Sequence, residues 1–182
     1  MSMGVYQWGI NLSGSAIPVY GPKNNNYALQ GAQIGTLTKN ECCAEGTAFR
    51  TGWDGWGGPI YFLNPSGQFV LGMIAASSPD LASFADYASN GTEWVKVSTL
   101  KRYVQYDTVA YYADGTKHKD LPAGSYVWLT STCTRGETHP NFISVSAIQP
   151  KGASKIFYSG NGFIDLVHGH YLNKGSILLR QA

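Results

Sequence analysis

A thiol nucleophile needs a base to take its proton and a helix start or a cation to hold the thiolate. Cys133 stands in Ser131-Thr-Cys-Thr-Arg-Gly136, at the end of a predicted strand with no helix after it, and its candidate bases are His139 and His168. His168-Gly-His170 on a strand would put two imidazoles on one face as a metal pair, but two imidazoles alone are a weak signal for a site. Asp54 lies between Trp53 and Trp56 in a glycine-rich stretch, and nothing in the spacing pairs it with Glu41 or Glu45 as the second carboxylate that glycoside hydrolysis requires. Neither a GxSxG elbow nor a phosphate-binding loop is present. Cys42, Cys43 and Cys133 form no CxxC, and adjacent Cys42 and Cys43 on a strand would point to opposite faces, so reduced thiols are expected rather than a structural zinc. These residues predict no catalytic group, no metal set and no cofactor. A small hydrolase built on Cys133, or on His168 and His170, is the weakest of three functional readings.

The aromatic residues offer binding chemistry instead, because ring faces stack on the C–H surfaces of sugars while Tyr and Trp polar atoms keep hydrogen-bond partners. Strict alternation in Ser125-Tyr-Val-Trp-Leu-Thr130 sends Val127 and Leu129 to one face and Tyr126 and Trp128 to the other. The aliphatic face must be core, so Tyr126 and Trp128 are either a stacking surface or packing under a loop or between units. Tyr20, Tyr111 and Tyr112 sit on strands that run into loops rich in Asn, Lys, Asp and Gly, where small barrels present ligands; alternation sends Tyr111 and Tyr112 opposite ways, one to the core and one outward. Trp53, Asp54 and Trp56 fall in a tight loop before the strand from Pro59 to Leu63, as a docking or a packing element.

The elements that must carry these side chains are β strands. Short β-rich runs are broken about every ten residues by Gly, Pro, Asn and Asp, the pattern of an all-β sandwich or barrel. One helix is expected over residues 78–89, where Ser78 can cap, Pro79 suits the first turn, and Leu81, Phe84, Ala85 and Ala88 share a face. The chain has 182 residues, of which 13% are charged, with a net charge of +2 and no Lys/Arg cluster. That balance argues against a phosphate-neutralising surface for nucleic acid and for a neutral-polar surface suited to glycans. No apolar run is long enough to span a membrane, and the first residues lack a Sec-type leader. The triplets Asn11-Leu-Ser13 and Asn90-Gly-Thr92 match a glycosylation pattern too short to carry weight.

Internal similarity points to two copies of one fold. Leu29–Thr38 lies over Leu121–Thr130, and Ile17–Tyr20 over Val109–Tyr112 at the same offset; Ile60-Tyr-Phe62 resembles Ile156-Phe-Tyr158; and Lys96–Arg102 resembles Lys174–Arg180. The shorter offset of the last block requires an insertion in the first copy, where the helix is predicted. The units expected are residues 1–102, with the helical insertion, and residues 103–182.

The segment Thr92-Glu-Trp-Val-Lys-Val-Ser-Thr-Leu-Lys101 resembles the closing stretch of bacterial Src-homology-3-like (SH3b) domains, where a Trp-Val-Lys-Val-Ser strand and a short helical turn end a small barrel. The second tail reads Leu-Asn-Lys-Gly-Ser at the corresponding place. Tandem units of that family serve as cell-wall-binding parts of phage endolysins and autolysins. The resemblance implies an all-β chain of two SH3-like barrels that catalyses nothing. It would act at the outer face of Gram-positive bacteria and bind peptidoglycan or a wall glycopolymer, with no nucleic-acid or membrane partner and a homo-oligomer allowed. The other reading, from a different class, is a phage virion, tail or surface structural protein.

Overall fold

The structure is a computed structural model that describes residues 6–46, 57–134, 139–169 and 171–182. The chain is all-β and separates into two compact units, Met1–Ala82 and Ser83–Ala182.

The first sheet contains β1 (Tyr6–Ile10), β2 (Ile17–Lys23), β3 (Asn26–Leu37), β4 (Cys42–Gly46), β5 (Gly57–Leu63), β6 (Phe69–Ala75) and β7 (Ala82–Ser83), ordered β3-β2-β6-β5-β4-β1-β7. Asn24 and Asn25 make the β2–β3 turn, both with positive φ, a conformation Asn tolerates better than most residues. Ile17, Val19, Leu37, Cys43, Ile60, Phe62 and Ile74 form its core. Phe62 fits there because Gly35 and Gly72 carry no side chain: a Cβ on Gly35 would lie 2.7 Å from the Phe62 ring, and one on Gly72 would lie 3.2 Å from it.

The second sheet contains β8 (Tyr87–Ser89), β9 (Trp94–Lys96), β10 (Lys101–Val104), β11 (Thr108–Tyr111), β12 (Lys117–Leu121), β13 (Tyr126–Leu129), β14 (Phe142–Gln149), β15 (Phe157–Asp165) and β16 (Leu179–Gln181). Their order is β12-β11-β15-β14-β13-β10-β16-β8-β9. The core face carries Val104, Val127, Leu129, Ile143, Val145 and Ile164, all essentially inaccessible.

Six strands of each sheet follow one plan. The order β3-β2-β6-β5-β4-β1 maps strand for strand onto β12-β11-β15-β14-β13-β10, and in each sheet a late short strand, β7 or β16, returns beside the first. Register fixes the correspondence residue by residue. Tyr20 opposes Met73 as Tyr111 opposes Phe163, and Ile17 opposes Leu37 as Thr108 opposes Leu121.

That correspondence corrects the predicted repeat. Tyr20 matches Tyr111, not Tyr112, a one-residue slip that would exchange the two faces of the strand. Leu37 matches Leu121, not Leu129. Ile60–Phe62 lies in β5, whose counterpart is β14, whereas Phe157 and Tyr158 lie in β15. Lys96–Arg102 and Lys174–Arg180 are not copies: their ends pair antiparallel, Tyr103 against Arg180 and Arg102 against Gln181.

The expected helix over residues 78–89 is absent; β7 and β8 occupy the segment, joined by a turn. Two local effects defeat the helical stripe. Ser83 Oγ accepts from the Ala85 amide at 3.3 Å and Asp86 N–H donates to Ser83 O at 3.1 Å, closing a turn in place of a helical ladder. The carbonyls of Phe84, Ala85 and Tyr87 meanwhile accept from the buried Arg102 guanidinium at 3.1–3.4 Å. Neither sheet closes into a barrel among the described residues; each is an open order with free ends. Residues 83–102, assigned by the repeat to the first copy, lie in the second compact unit, so the Trp94–Lys101 stretch does not close the first sheet.

Candidate functional site

Cross-strand register lines up one side-chain row on the outward face of the second sheet. Gln149 opposes Tyr126, Tyr126 opposes Tyr103, Tyr103 opposes Arg180, and Arg180 opposes Ser89, crossing β14, β13, β10, β16 and β8. Directly opposed residues share a face. At the usual strand spacing the row spans roughly 19 Å. Beside it, Lys101 opposes Trp128.

Alternation produces this face. In β13 Val127 and Leu129 are buried while Tyr126 and Trp128 remain partly accessible, as the sequence predicts. In β10 Arg102 and Val104 turn inward, leaving Lys101 and Tyr103 outward. Tyr103 and Tyr126 meet edge to face at 5.7 Å, and the Lys101 ammonium lies 4.3 Å from the Tyr126 ring centre and 5.4 Å from that of Trp128. The lysine therefore bridges two rings by cation–π attraction and fixes the platform.

The row ends in a groove of about 280 Å³ lined by Ser89, Asn90, Tyr103, Gln105, Arg180 and Gln181. Ser89 Oγ donates to Lys174 O and accepts from Gly91 N–H at 3.1 Å. Asn90 Oδ1 accepts from the amides of Thr92 and Glu93, both at 3.0 Å, so a side chain that matches a glycosylation triplet here shapes a turn. Asn11, in the other triplet, is wholly buried and bonded to Leu37 O and Thr38 O, where no glycan could be attached.

The predicted binding residues are not gathered at one place. Tyr111 stacks on Phe142 at 4.5 Å, half-buried, and burial raises its hydroxyl pKa. Tyr112, 45% exposed, stacks on His118 at 4.3 Å. Strands β14 and β15 separate β11 from the Tyr126 strand. Tyr20 belongs to the first sheet. Trp53, Asp54 and Trp56 lie outside the described residues. Tyr103, Lys101, Arg180 and Gln149 went unrecognised in the sequence; the alternation in Lys101-Arg-Tyr-Val104 was a usable signal, but the pairing of β10 with β16 was not visible without topology.

Cys133 is wholly buried in a turn with positive φ, its thiol bonded to Thr130 O at 3.4 Å. Burial pushes its pKa up to about 12, only partly opposed by the Arg102 charge, so the sulfur is held as a thiol away from solvent. Burial likewise pushes the thiols of Cys42 and Cys43 upward. His139 stacks on Phe142 at 4.5 Å, and His168 lies 3.3 Å from Asp165. His170 lies outside the described residues. Among the described residues no group of three or more His, Cys, Asp or Glu is placed to hold a metal.

No family model, no curated protein and no solved structure matches this chain.

Proposed function

We propose that the chain is a non-catalytic binding module for Gram-positive cell-wall polymer, peptidoglycan or a wall glycopolymer, built from two SH3-like units and serving as the targeting part of a phage endolysin or autolysin. The observation that carries the binding role is the outward row Gln149, Tyr126, Tyr103 and Arg180 with Lys101 and Trp128 beside it. Adjacent rings give apolar faces for sugar C–H surfaces, and flanking amides give hydrogen bonds. The strand order shared by both sheets, with the last short strand returning to the first, supports the SH3-like duplication; the Thr92–Lys101 segment does not, since it lies in the second sheet.

Sedimentation with purified Gram-positive walls tests this reading. The whole chain is expected to sediment with walls, and Tyr126→Ala with Trp128→Ala together to weaken binding about a hundredfold, from about 1–3 kcal/mol per stacked ring. Failure to sediment with any wall preparation overturns it.

A second reading, a phage virion or surface structural protein, has its own observation. β3 is a twelve-residue strand at the end of the first sheet, with Leu29 48% and Ile34 39% exposed. A long strand edge with exposed apolar residues is a ready surface for another subunit.

A further inference from the structure

The groove at the end of the aromatic row has one cation and no anion. None of its six lining residues is acidic, and Arg180 makes no ion pair among the described residues. Its guanidinium donates once, from Nη2 to Gly175 O at 3.1 Å. Its Nε is buried with no hydrogen-bond partner, and so is Gln105 Oε1 in the same groove. Buried polar atoms without partners are costly and rare. Both atoms are sealed from solvent, so a ligand in the groove meets the outer edge of the guanidinium rather than Nε. Nη1 lies over Gly91, where a Cβ would come within 2.4 Å of it, and Gly91 adopts φ +101°, a backbone that suits glycine. Among the described residues Nη1 makes no hydrogen bond and, unlike Nε, is not sealed from solvent, so it is the free edge of the guanidinium.

We infer that this groove takes an acidic substituent of the polysaccharide, a carboxylate or a phosphodiester, with Arg180 as its anchor. The inference rests on the wall-polymer reading and adds to it the charge of the ligand. A planar guanidinium offers two parallel N–H groups to two oxygens of one anion, which a lysine cannot reproduce. Asn90 and Gln181 amides flank the same space and donate to ring hydroxyls. Tyr103 lines the groove and is also a member of the row, so a chain stacked on Tyr126 and Tyr103 delivers its next substituent to Arg180.

The test uses the full 182-residue chain and affinity electrophoresis in gels containing neutral dextran, a polyuronate, or a glycerol-phosphate polymer. At least one acidic polymer is expected to retard the protein about tenfold more strongly than dextran, the worth of one charge-assisted pair, and the preference is expected to shrink with added salt. Arg180→Gln should bring the ratio to about one, with circular dichroism unchanged because the substituted side chain is partly exposed. Arg180→Lys should restore part of the preference for the phosphate polymer and less for the carboxylate. Retention of the full preference by Arg180→Gln overturns the inference, as does equal retardation by dextran or retardation by none of the polymers. The outcomes separate the two proposals. Walls that sediment Arg180→Gln as well as the parent leave the wall reading standing and remove this one. Acidic polymers that bind through Arg180 while no wall sediments the chain do the reverse.

Discussion

Arg102 carries its charge into the interior of the second unit with 1% of its surface accessible. Burial lowers its pKa, yet no acid is paired with it among the described residues; carbonyl oxygens surround it instead. Nη1 donates to Thr99 O at 2.6 Å and Lys101 O at 3.1 Å, and Nη2 reaches Phe84 O, Ala85 O and Tyr87 O. Those acceptors offset desolvation and tie the 84–87 turn to the start of β10, the strand whose next residue is Tyr103. A guanidinium can reach five carbonyls from one stem because its donors are spread in a rigid plane. Replacing it strands several buried carbonyls at once. Arg102→Met is expected to cost about 3 kcal/mol, and Arg102→Lys nearly as much, by urea denaturation of the full chain. A loss below about 1 kcal/mol would show that the turn stands without it. The outward Arg180, half-accessible, should change stability far less, so two arginines adjacent in one sheet divide cleanly between holding the fold and meeting a ligand.

At the scale of elements, alternation was legible and partnership was not. Val127 and Leu129 inward, Tyr126 and Trp128 outward, is a property of one strand and follows from its sequence. The apolar spacing over 78–89 is equally met by two short strands joined by a turn, with Phe84 buried in the turn and Ala88 in β8, and the decisive hydrogen-bond donors come from Arg102, outside the segment. The similarity of Lys96–Arg102 to Lys174–Arg180 does not mark copies, because the two segments run into β10 and β16, which pair with each other in one sheet. Strand β3 escaped notice as an edge for a related reason: Leu29 and Ile34 stand among Gln, Gly and Ala, without the periodicity that announces a buried face. Its free edge makes a prediction at this scale. If β3 docks a second subunit, Leu29→Lys should convert an oligomer to monomer in light scattering without lowering the melting temperature, since a lysine at 48% exposure costs the monomer little. A parent chain that is monomeric at high concentration removes the assembly reading.

At the scale of the molecule, the two sheets share one strand order, while the similar sequence blocks are mostly out of register with it. A fold repeats through strand order and through which positions are buried, and both tolerate changes such as Ile17 to Thr108. Local similarity between short β segments does not respect that order. The boundary shows the difference most clearly. A division after residue 102 would cut β10 at its second residue and remove β8 and β9 from the sheet in which β16 pairs with both β8 and β10. It would also take away Arg102 and leave Ser89 and Asn90 missing from the groove. Division after residue 82 keeps all of these together. A fragment of residues 83–182 is therefore expected to unfold cooperatively on heating and to keep the preference for acidic polymer, whereas residues 103–182 should give a broad, non-cooperative transition and bind neither polymer. Calorimetry on the two fragments decides it. A sharp transition for the shorter one would mean that β8, β9 and the Arg102 carbonyl network are appendages to a unit complete without them.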